Sequence, residues 1–277
     1  MRVPLNIRAR LIEIGNAKDE DIELAPAALI LAAADRPGVS MEPYLRHLEQ
    51  LAADVGEYSK HPDVALDHRI EALIQVIVRR YGYGGSDGVF EDLDAANLMR
   101  VIDNRSGLPV AIGILFIASA RAQGWAATGL DFPGRFLFRL DAHGQRKIID
   151  PFAGGAVLEP PDMRAMFKAF AGNHVELTPE HYRDMGNRDI LARMQDNIKS
   201  RLLQRERWDD AIEVIQTMLL FAPGQTALWR EAGLLYTRLD RIKDAIQSLE
   251  EFMRRTGAEK KRYKTSMLLQ ELRTRLN

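Results

Sequence analysis

Two residues of opposite charge stand at the ends of two short apolar segments. Arg135 opens "RFLFRL" directly after a Pro-Gly corner, and Asp150 ends "KIID" directly before "PFAGG". An acid that ends an apolar strand is costly to leave unpaired. If Asp141 to Gly144 form a four-residue turn, cross-strand partners have residue numbers that sum to 285, and Arg135 faces Asp150 with Cβ atoms about 5 Å apart. The spacing predicts a salt bridge or a turn cap at Asp150, in preference to acid chemistry.

Further charged residues are candidates for contacting a ligand beside Arg135 and Asp150. Arg105 and Asp131 complete the predicted binding set with Arg135 and Asp150, and Arg139 is a further candidate for lining the same site, although no specific pattern marks it. The proposed pairing depends on the strand register, because a slip of one residue turns every side chain to the other face of the sheet.

Other reactive side chains lack the patterns that would mark an active site. The chain has no cysteine, which excludes a thiol nucleophile, a thiolate metal site and a disulfide. Ser106 and Ser119 do not lie in G-x-S-x-G, and the six histidines include neither H-x-x-x-H nor H-E-x-x-H. The loop "YGYGGSDG" does not match a phosphate-binding motif. We therefore predict no metal and no cofactor.

The elements that would position these residues are mostly helical up to residue 100. Helices are predicted over residues 21–38, 41–58 and 66–85, each with Pro or Gly at an end. Residues 108–125 are apolar on every side, which predicts a fully enclosed helix. Two strands, "RFLFRL" and "KIIDPF", follow it. The predicted core, residues 105–155, is this helix and the strand hairpin.

The last third of the chain repeats itself. Ala211 and Ala245 are separated by one period of the tetratricopeptide repeat, which is about 34 residues. Trp229, Gly233 and Tyr236 have the spacing of that repeat, whereas the earlier copy has lysine where a small glycine is expected. Stacked helix pairs of this kind form concave binding surfaces. We predict two domains, residues 1–186 and 187–277.

Composition limits the possible partners. The net charge is −1, with −6 over residues 1–186 and +5 over residues 187–277. No strong overall field favours nucleic acid or a membrane surface. The N-terminal residues show no apolar stretch suited to a signal peptide, and the longest uncharged run, from Ser106 to Ala120, is too short to span a bilayer. We expect a soluble cytoplasmic protein that binds neither nucleic acid nor membranes.

Several motifs in one order resemble a known family. "RSGLPVAIGILFIASARAQGW", "GLDFPGRFLFRL", "IIDPFAGG" and "NRDILARMQDNIKSRLLQRERWDDAI" are similar to the SirB-type proteins. The resemblance covers the chain from about Glu23 to the end. It implies an α+β fold, in which a helical N-terminal region and a transglutaminase-like (papain-like) core with a small antiparallel sheet precede all-α tetratricopeptide repeats. It also implies a bacterial source and an association with the regulation of invasion genes.

The resemblance assigns roles to three positions. Transglutaminase-like enzymes use a Cys-His-Asp triad, with the thiol at the start of a buried helix. The corresponding residues of this chain are Ala111, Arg135 and Asp150, so only the aspartate is retained. A methyl group cannot attack a carbonyl, and a guanidinium donates hydrogen bonds but cannot act as a base.

Three hypotheses follow. The first is a non-catalytic binding or regulatory protein with a degenerate pocket and a repeat surface that contacts a protein or peptide. The second is a hydrolase or transferase that uses Asp150 through water. The third is a scaffold that acts through its repeats alone.

Overall fold

The computed structural model describes residues 3–276, apart from the side chains of residues 87 and 260. Residues 1, 2 and 277, which the predicted domains include, lie outside the described residues. The chain divides into two compact units. Lys18–Met194 form the first unit, and the second joins the residues up to Ala17 with those from Gln195 onward.

The chain is α+β, with one five-stranded sheet among its described residues. The α-helices are α1 (Leu5–Asn16), α2 (Leu24–Asp35), α3 (Glu42–Ser59), α4 (Leu66–Leu73), α5 (Leu98–Asn104), α6 (Pro109–Ala122), α7 (Pro160–Ala171), α8 (Asn187–Gln204), α9 (Trp208–Phe221), α10 (Thr226–Arg238), α11 (Ile242–Arg255) and α12 (Glu259–Leu276). A π-helix, Ile74–Arg80, continues α4, and short 3₁₀ helices lie at Asp19–Asp21, Asp87–Phe90, Asp94–Ala96 and Pro179–Tyr182. The strands are β1 (Ala126–Asp131), β2 (Leu137–Ala142), β3 (Gln145–Asp150), β4 (Ala156–Leu158) and β5 (Arg183–Met185).

Helix α6 is the centre of the first unit. Because it has no polar face, it is stable only where neighbours cover it on all sides. Helices α2, α3 and α4 pack on it, as do strands β1 and β2. Gly113 lets the Phe136 ring approach the helix closely, and Phe116 contacts Phe138 with ring centroids 5.5 Å apart. The predicted enclosure of this helix is confirmed.

The sheet has the order β4-β3-β2-β1-β5, and every neighbouring pair is antiparallel. Side chains alternate between its two faces. Phe138 of β2 points to α6, whereas Leu137 joins a buried cluster with Met163 and Phe167 of α7. The sheet is therefore covered by α6 on one face and by α7 on the other.

The β2–β3 hairpin corrects the predicted register. The turn has two residues, His143 and Gly144, with φ of 52° and 75°. Such turns match the twist of the flanking strands. Cross-strand partners sum to 287, as in Phe138 opposite Ile149, so the predicted four-residue turn and the sum of 285 are wrong. Because the register differs from the predicted one by two residues, each side chain still lies on its predicted face of the sheet. Arg135, which was predicted to open the strand, lies before β2, which begins at Leu137.

Replacing His143 by asparagine tests the hairpin geometry. Asparagine tolerates positive φ better than histidine, so we expect His143→Asn to raise the free energy of unfolding by about 0.5 kcal/mol. The 3.3 Å contact of His143 with Asp63 is exposed to solvent and contributes little. His143→Val should lower stability, because a β-branched residue is strained at positive φ. Urea unfolding measures both, and an Asn variant no more stable than the Val variant would contradict the assigned turn.

Asp19 caps helix α8, which begins 168 residues further along the chain. Its Oδ2 accepts a hydrogen bond from the Asn187 N–H at 2.7 Å, and its Oδ1 accepts one from the Arg188 N–H at 2.8 Å. The Asn187 side chain donates in return to the Asp19 and Ile22 carbonyls. These bonds satisfy amides that a helix start leaves without intrahelical partners.

The second unit is built from helix pairs. Ala211 and Ala245 are fully buried, and Gly233 of α10 lies so close to Leu249 of α11 that a Cβ would be 2.5 Å from the Leu249 side chain. The indole N–H of Trp229 donates to the Pro223 carbonyl at 3.2 Å, and the Tyr236 hydroxyl accepts from Gln216.

The lysine at the expected glycine position is accommodated by acidic partners. Lys199 is buried and its Nζ lies 2.6 Å from Glu231 and 2.5 Å from Asp196. Burial alone would lower the pKa of Lys199, but these two partners raise it above its ordinary value. The position therefore holds a buried ammonium that two carboxylates neutralise.

The observed units differ from the predicted domains at the N-terminus and at the internal boundary, which lies after Met194 and not after residue 186. Helix α1 belongs with the repeat helices, where it packs on α9, and a Cβ at Gly15 would lie 2.4 Å from the Leu220 carbonyl oxygen. No sequence pattern indicated this contact, because residues so far apart show no shared period. Among the helices of the described residues, none combines the length and apolar content needed to cross a bilayer.

Candidate functional site

Asp150 lies where β3 ends and a tight turn begins. Its side chain is 3% exposed. Oδ1 accepts hydrogen bonds from the Phe152 N–H at 2.9 Å and the Ala153 N–H at 3.1 Å. An aspartate that binds the amides two and three residues ahead is a common way to fix a turn. One oxygen of the carboxylate thus stabilises the turn that follows β3.

Arg135 contacts the other carboxylate oxygen of Asp150. Its Nε lies 2.6 Å from Asp150 Oδ2, although the N–H bond is not aimed at that oxygen, so the contact is an ion pair and not a well-aligned hydrogen bond. The guanidinium carbon lies 5.0 Å from the centre of the Phe152 ring. That ring lies directly on Gly85 and contacts Phe90 at 5.3 Å between ring centroids. The sequence-predicted pair is present and rests on an aromatic platform.

The environment of Asp150 opposes its charge. Burial raises the pKa of its carboxyl above the ordinary value, and it outweighs the opposing effects of the Arg135 charge and of the two turn amides. A carboxylate in this position depends on its cation, because water cannot replace the lost solvation.

Ala111 is fully buried in the first turn of α6. The residue that follows Arg135, Phe136, packs on Gly113, two positions further along the same helix. The helix that carries Ala111 therefore packs on the segment that carries Arg135, although the Ala111 methyl group offers no reactive atom.

Arg105 and Asp131 do not join this pair. Asp131 is exposed and forms an ion pair with Arg193 at 3.2 Å. Arg105 bonds instead to His47 and Tyr83. Neither forms a hydrogen bond or ion pair with Asp150, so the structure does not bring the four predicted binding residues together.

Arg139 is also engaged elsewhere. Its guanidinium lies 2.7 Å from Asp141 and 2.5 Å from Asp184. Within the described residues, no group of three or more His, Asp or Glu side chains is arranged to hold a metal ion.

Two family models match this chain, one in each part of it. Residues 42–196 match the family model of the transglutaminase-like superfamily, and residues 198–270 match that of the tetratricopeptide repeat. The first match covers more than half of the chain. The chain belongs to the transglutaminase-like superfamily.

Relatives of this transglutaminase-like chain include SirB-type proteins, as the sequence motifs indicated. A UPF0162 protein of Vibrio cholerae is 28% identical over 86% of this chain and 89% of its own length. A UPF0162 protein of Xylella fastidiosa is 26% identical over 87% and 86%. Protein SirB1 of Salmonella typhimurium is 25% identical over 68% and 70%. A crystal structure of menin aligns with a TM-score of 0.47 and 11% identity over 91% of this chain and 71% of its own, a likeness that supports no argument.

Sequence reasoning missed one residue that positions the transglutaminase-like site. Arg193 of α8 donates to the Phe132 carbonyl at 2.7 Å and to the Arg135 carbonyl at 3.0 Å, and it also pairs with Asp131. It thereby fixes the Pro-Gly corner from which the Arg135 side chain extends. Arg193 lies in a segment assigned to the repeat helices, and no local pattern could connect it to a corner so much earlier in the chain.

Proposed function

We propose that this chain is a non-catalytic, cytoplasmic binding protein with a regulatory role, in which a degenerate transglutaminase-like core is joined to a repeat surface that contacts a protein or peptide. The observation that carries the proposal is the Arg135–Asp150 ion pair. In a Cys-His-Asp enzyme the aspartate orients an imidazole that takes up a proton. Here the aspartate is neutralised by a guanidinium, which cannot do so.

The state of Asp150 supports this proposal further. One of its oxygens binds two backbone amides and the other contacts Arg135, so the carboxylate serves the fold. The position assigned to the nucleophile carries the buried methyl group of Ala111. Neither half of thiol acyl transfer, a nucleophile or its base, is supplied by these residues.

An activity screen tests the proposal. The full chain is incubated with panels of amide and ester substrates, alongside the Arg135→Ala variant. We expect both proteins to stay at the rate of the uncatalysed reaction. Turnover that the Arg135→Ala change abolishes would overturn the proposal, because it would assign chemistry to the pair itself.

A hydrolase or transferase that uses Asp150 through water is the second candidate. The observation in its favour is the raised pKa of the Asp150 carboxyl, since burial tunes carboxyl groups for acid–base work in many enzymes. If the screen detects turnover, Asp150→Asn should abolish it. Activity that survives this change would exclude the candidate.

The repeat helices are the proposed contact for a partner. A cleft of about 410 Å³ is lined by side chains of α9, α10 and α11 together with Arg8 of α1, including Gln216, Trp229 and Tyr236. Its aromatic and polar lining suits an extended peptide segment, which offers both amides and side chains. Arg8→Glu should reduce capture of the partner, while Arg164→Glu on α7 should leave capture unchanged. Equal capture by both variants would place the contact elsewhere.

A further inference from the structure

A second cleft lies in the first unit, next to Arg105. It measures about 500 Å³, a size typical of sites for small molecules. Its lining is Val39, Ser40, Pro43, Tyr44, His47, Ile102, Asp103 and Arg105. Val39, Pro43 and Ile102 supply the apolar part of the walls, and the charged residues of the lining are Asp103 and Arg105.

Only one charge in this cleft lacks a counter-charge among the described residues. The Asp103 carboxylate is neutralised by Arg36 at 2.9 Å and also accepts a hydrogen bond from the Tyr44 hydroxyl at 3.1 Å. Arg105 has no carboxylate within ion-pair distance in the described part of the chain. Its NH1 donates to His47 Nε2 at 2.8 Å and to the Tyr83 hydroxyl, both of which are neutral partners.

The neutral state of these partners has a physical cause. Because an arginine can only donate, His47 Nε2 must accept, and the imidazole carries its proton on Nδ1. Burial, followed by the Arg105 charge, lowers the pKa of His47, which favours this uncharged form. Burial also raises the pKa of Tyr83 to about 12, so its hydroxyl stays protonated. The cluster of Arg105, His47 and Tyr83 consequently carries one positive charge at neutral pH.

The guanidinium of Arg105 is held in place before any ligand arrives. It lies 4.8 Å from the Tyr83 ring centre and 5.6 Å from that of Tyr81, within the range of cation–π contacts. Its backbone has φ of 57° at the C-terminal end of α5, a left-handed conformation that costs energy in any residue except glycine. Strain of this kind persists where the rest of the structure imposes it, and it occurs often at ligand sites.

We propose that this cleft binds a small carboxylate with a compact apolar body, and that Arg105 pairs with the carboxylate. A guanidinium presents two parallel N–H groups that match the two oxygens of a carboxylate. A single uncompensated positive charge matches a singly charged anion better than a phosphate dianion. The apolar walls formed by Val39, Pro43 and Ile102 would contact the remainder of the ligand.

Titration of the full-length chain with matched small molecules tests the assignment. The probes are benzoate and hexanoate, their uncharged amides benzamide and hexanamide, and inorganic phosphate, with binding followed by NMR chemical shifts. We expect at least one carboxylate to bind at least tenfold more tightly than its amide, because the charge-assisted pair is absent from the amide. If no carboxylate binds, or if phosphate binds more tightly than every carboxylate, the ligand assignment is wrong.

Two arginine variants locate the site. Arg105→Gln should weaken carboxylate binding at least tenfold, while Arg46→Gln, a change of the same type on the exposed side of α3, should leave it unchanged. Tyr83→Phe retains the guanidinium and loses one of its supports, so it should weaken binding by a smaller factor. A folded Arg105→Gln variant that binds carboxylates as tightly as the unaltered chain would overturn the proposal.

Discussion

Arg135→Met is expected to destabilise the first unit by about 3 kcal/mol at pH 7. The change leaves the buried Asp150 carboxylate with its two turn amides but without its cation, and removing one partner of a buried ion pair typically costs this much. Methionine retains the length of the side chain, so the loss of packing on Phe152 is small. Urea unfolding at pH 7 measures the effect.

The pH dependence distinguishes the lost charge pair from lost packing. Burial already raises the pKa of Asp150, and removing Arg135 raises it further. A carboxyl whose folded-state pKa lies above its unfolded value favours folding most when it is protonated, and this advantage disappears as pH rises through the folded-state pKa. Arg135→Met should therefore cost less at pH 4.5 than at pH 7.

Two controls complete this test. Arg146→Met removes a largely exposed arginine that pairs with Asp141 and should cost less than about 1 kcal/mol at either pH. The double change Arg135→Met and Asp150→Asn should recover part of the lost stability, because it removes the stranded charge. A loss that is the same at both pH values and in the double variant would show that Asp150 does not depend on its cation.

Gly85→Ala is expected to cost about 2 kcal/mol and to displace the Phe152 ring. A Cβ at Gly85 would lie 1.9 Å from the ring, a distance that no pair of non-bonded carbon atoms tolerates, so the ring must move. Overpacking of this kind typically costs about 1–3 kcal/mol. Because the ring supports the Arg135 guanidinium, the ion pair with Asp150 should loosen as well.

The neighbouring glycine provides a matched control for this change. A Cβ at Gly84 would meet no atom within 4 Å, so Gly84→Ala should alter the free energy of unfolding by no more than about 0.5 kcal/mol. Urea unfolding compares the two variants, and the titration of Asp150, followed by NMR, reports on the ion pair. Equal stability of the two variants would contradict the close contact between Gly85 and Phe152.

The parts of the fold that the sequence predicted are those with a local period. Helix α6 was identifiable because its apolar residues leave no polar face, and the repeat because Ala211 and Ala245 are one tetratricopeptide period apart. By contrast, strands β1, β4 and β5 were not predicted. β4 and β5 have three residues each, too few for an alternating pattern, and β1 contains Gly129, whose missing side chain makes room for Ile190.

The candidate site shows the same limit. The Arg135–Asp150 ion pair is present, although the register that suggested it was wrong. The register was missed because the two-residue turn has histidine at the position where asparagine usually signals such a hairpin. Arg193 could not be predicted, because it acts on backbone carbonyls, which carry no residue identity. Arg105 bonds to His47 and Tyr83, which lie 58 and 22 residues away in the sequence, and no local pattern links residues so far apart.

The cap that Asp19 places on α8 affects how the first unit is made in the cell. Asp19 is synthesised early, but the amides that it binds belong to residues 187 and 188. The nascent chain cannot complete this contact until the ribosome has released almost the whole unit, and the loop-closure entropy of joining such distant segments opposes its formation before the intervening chain folds. Capping of α8 by Asp19 should thus be a late event in the folding of the first unit during biosynthesis. A fragment that begins at residue 42, where the family match starts, would lack the Asp19 carboxylate and therefore this cap.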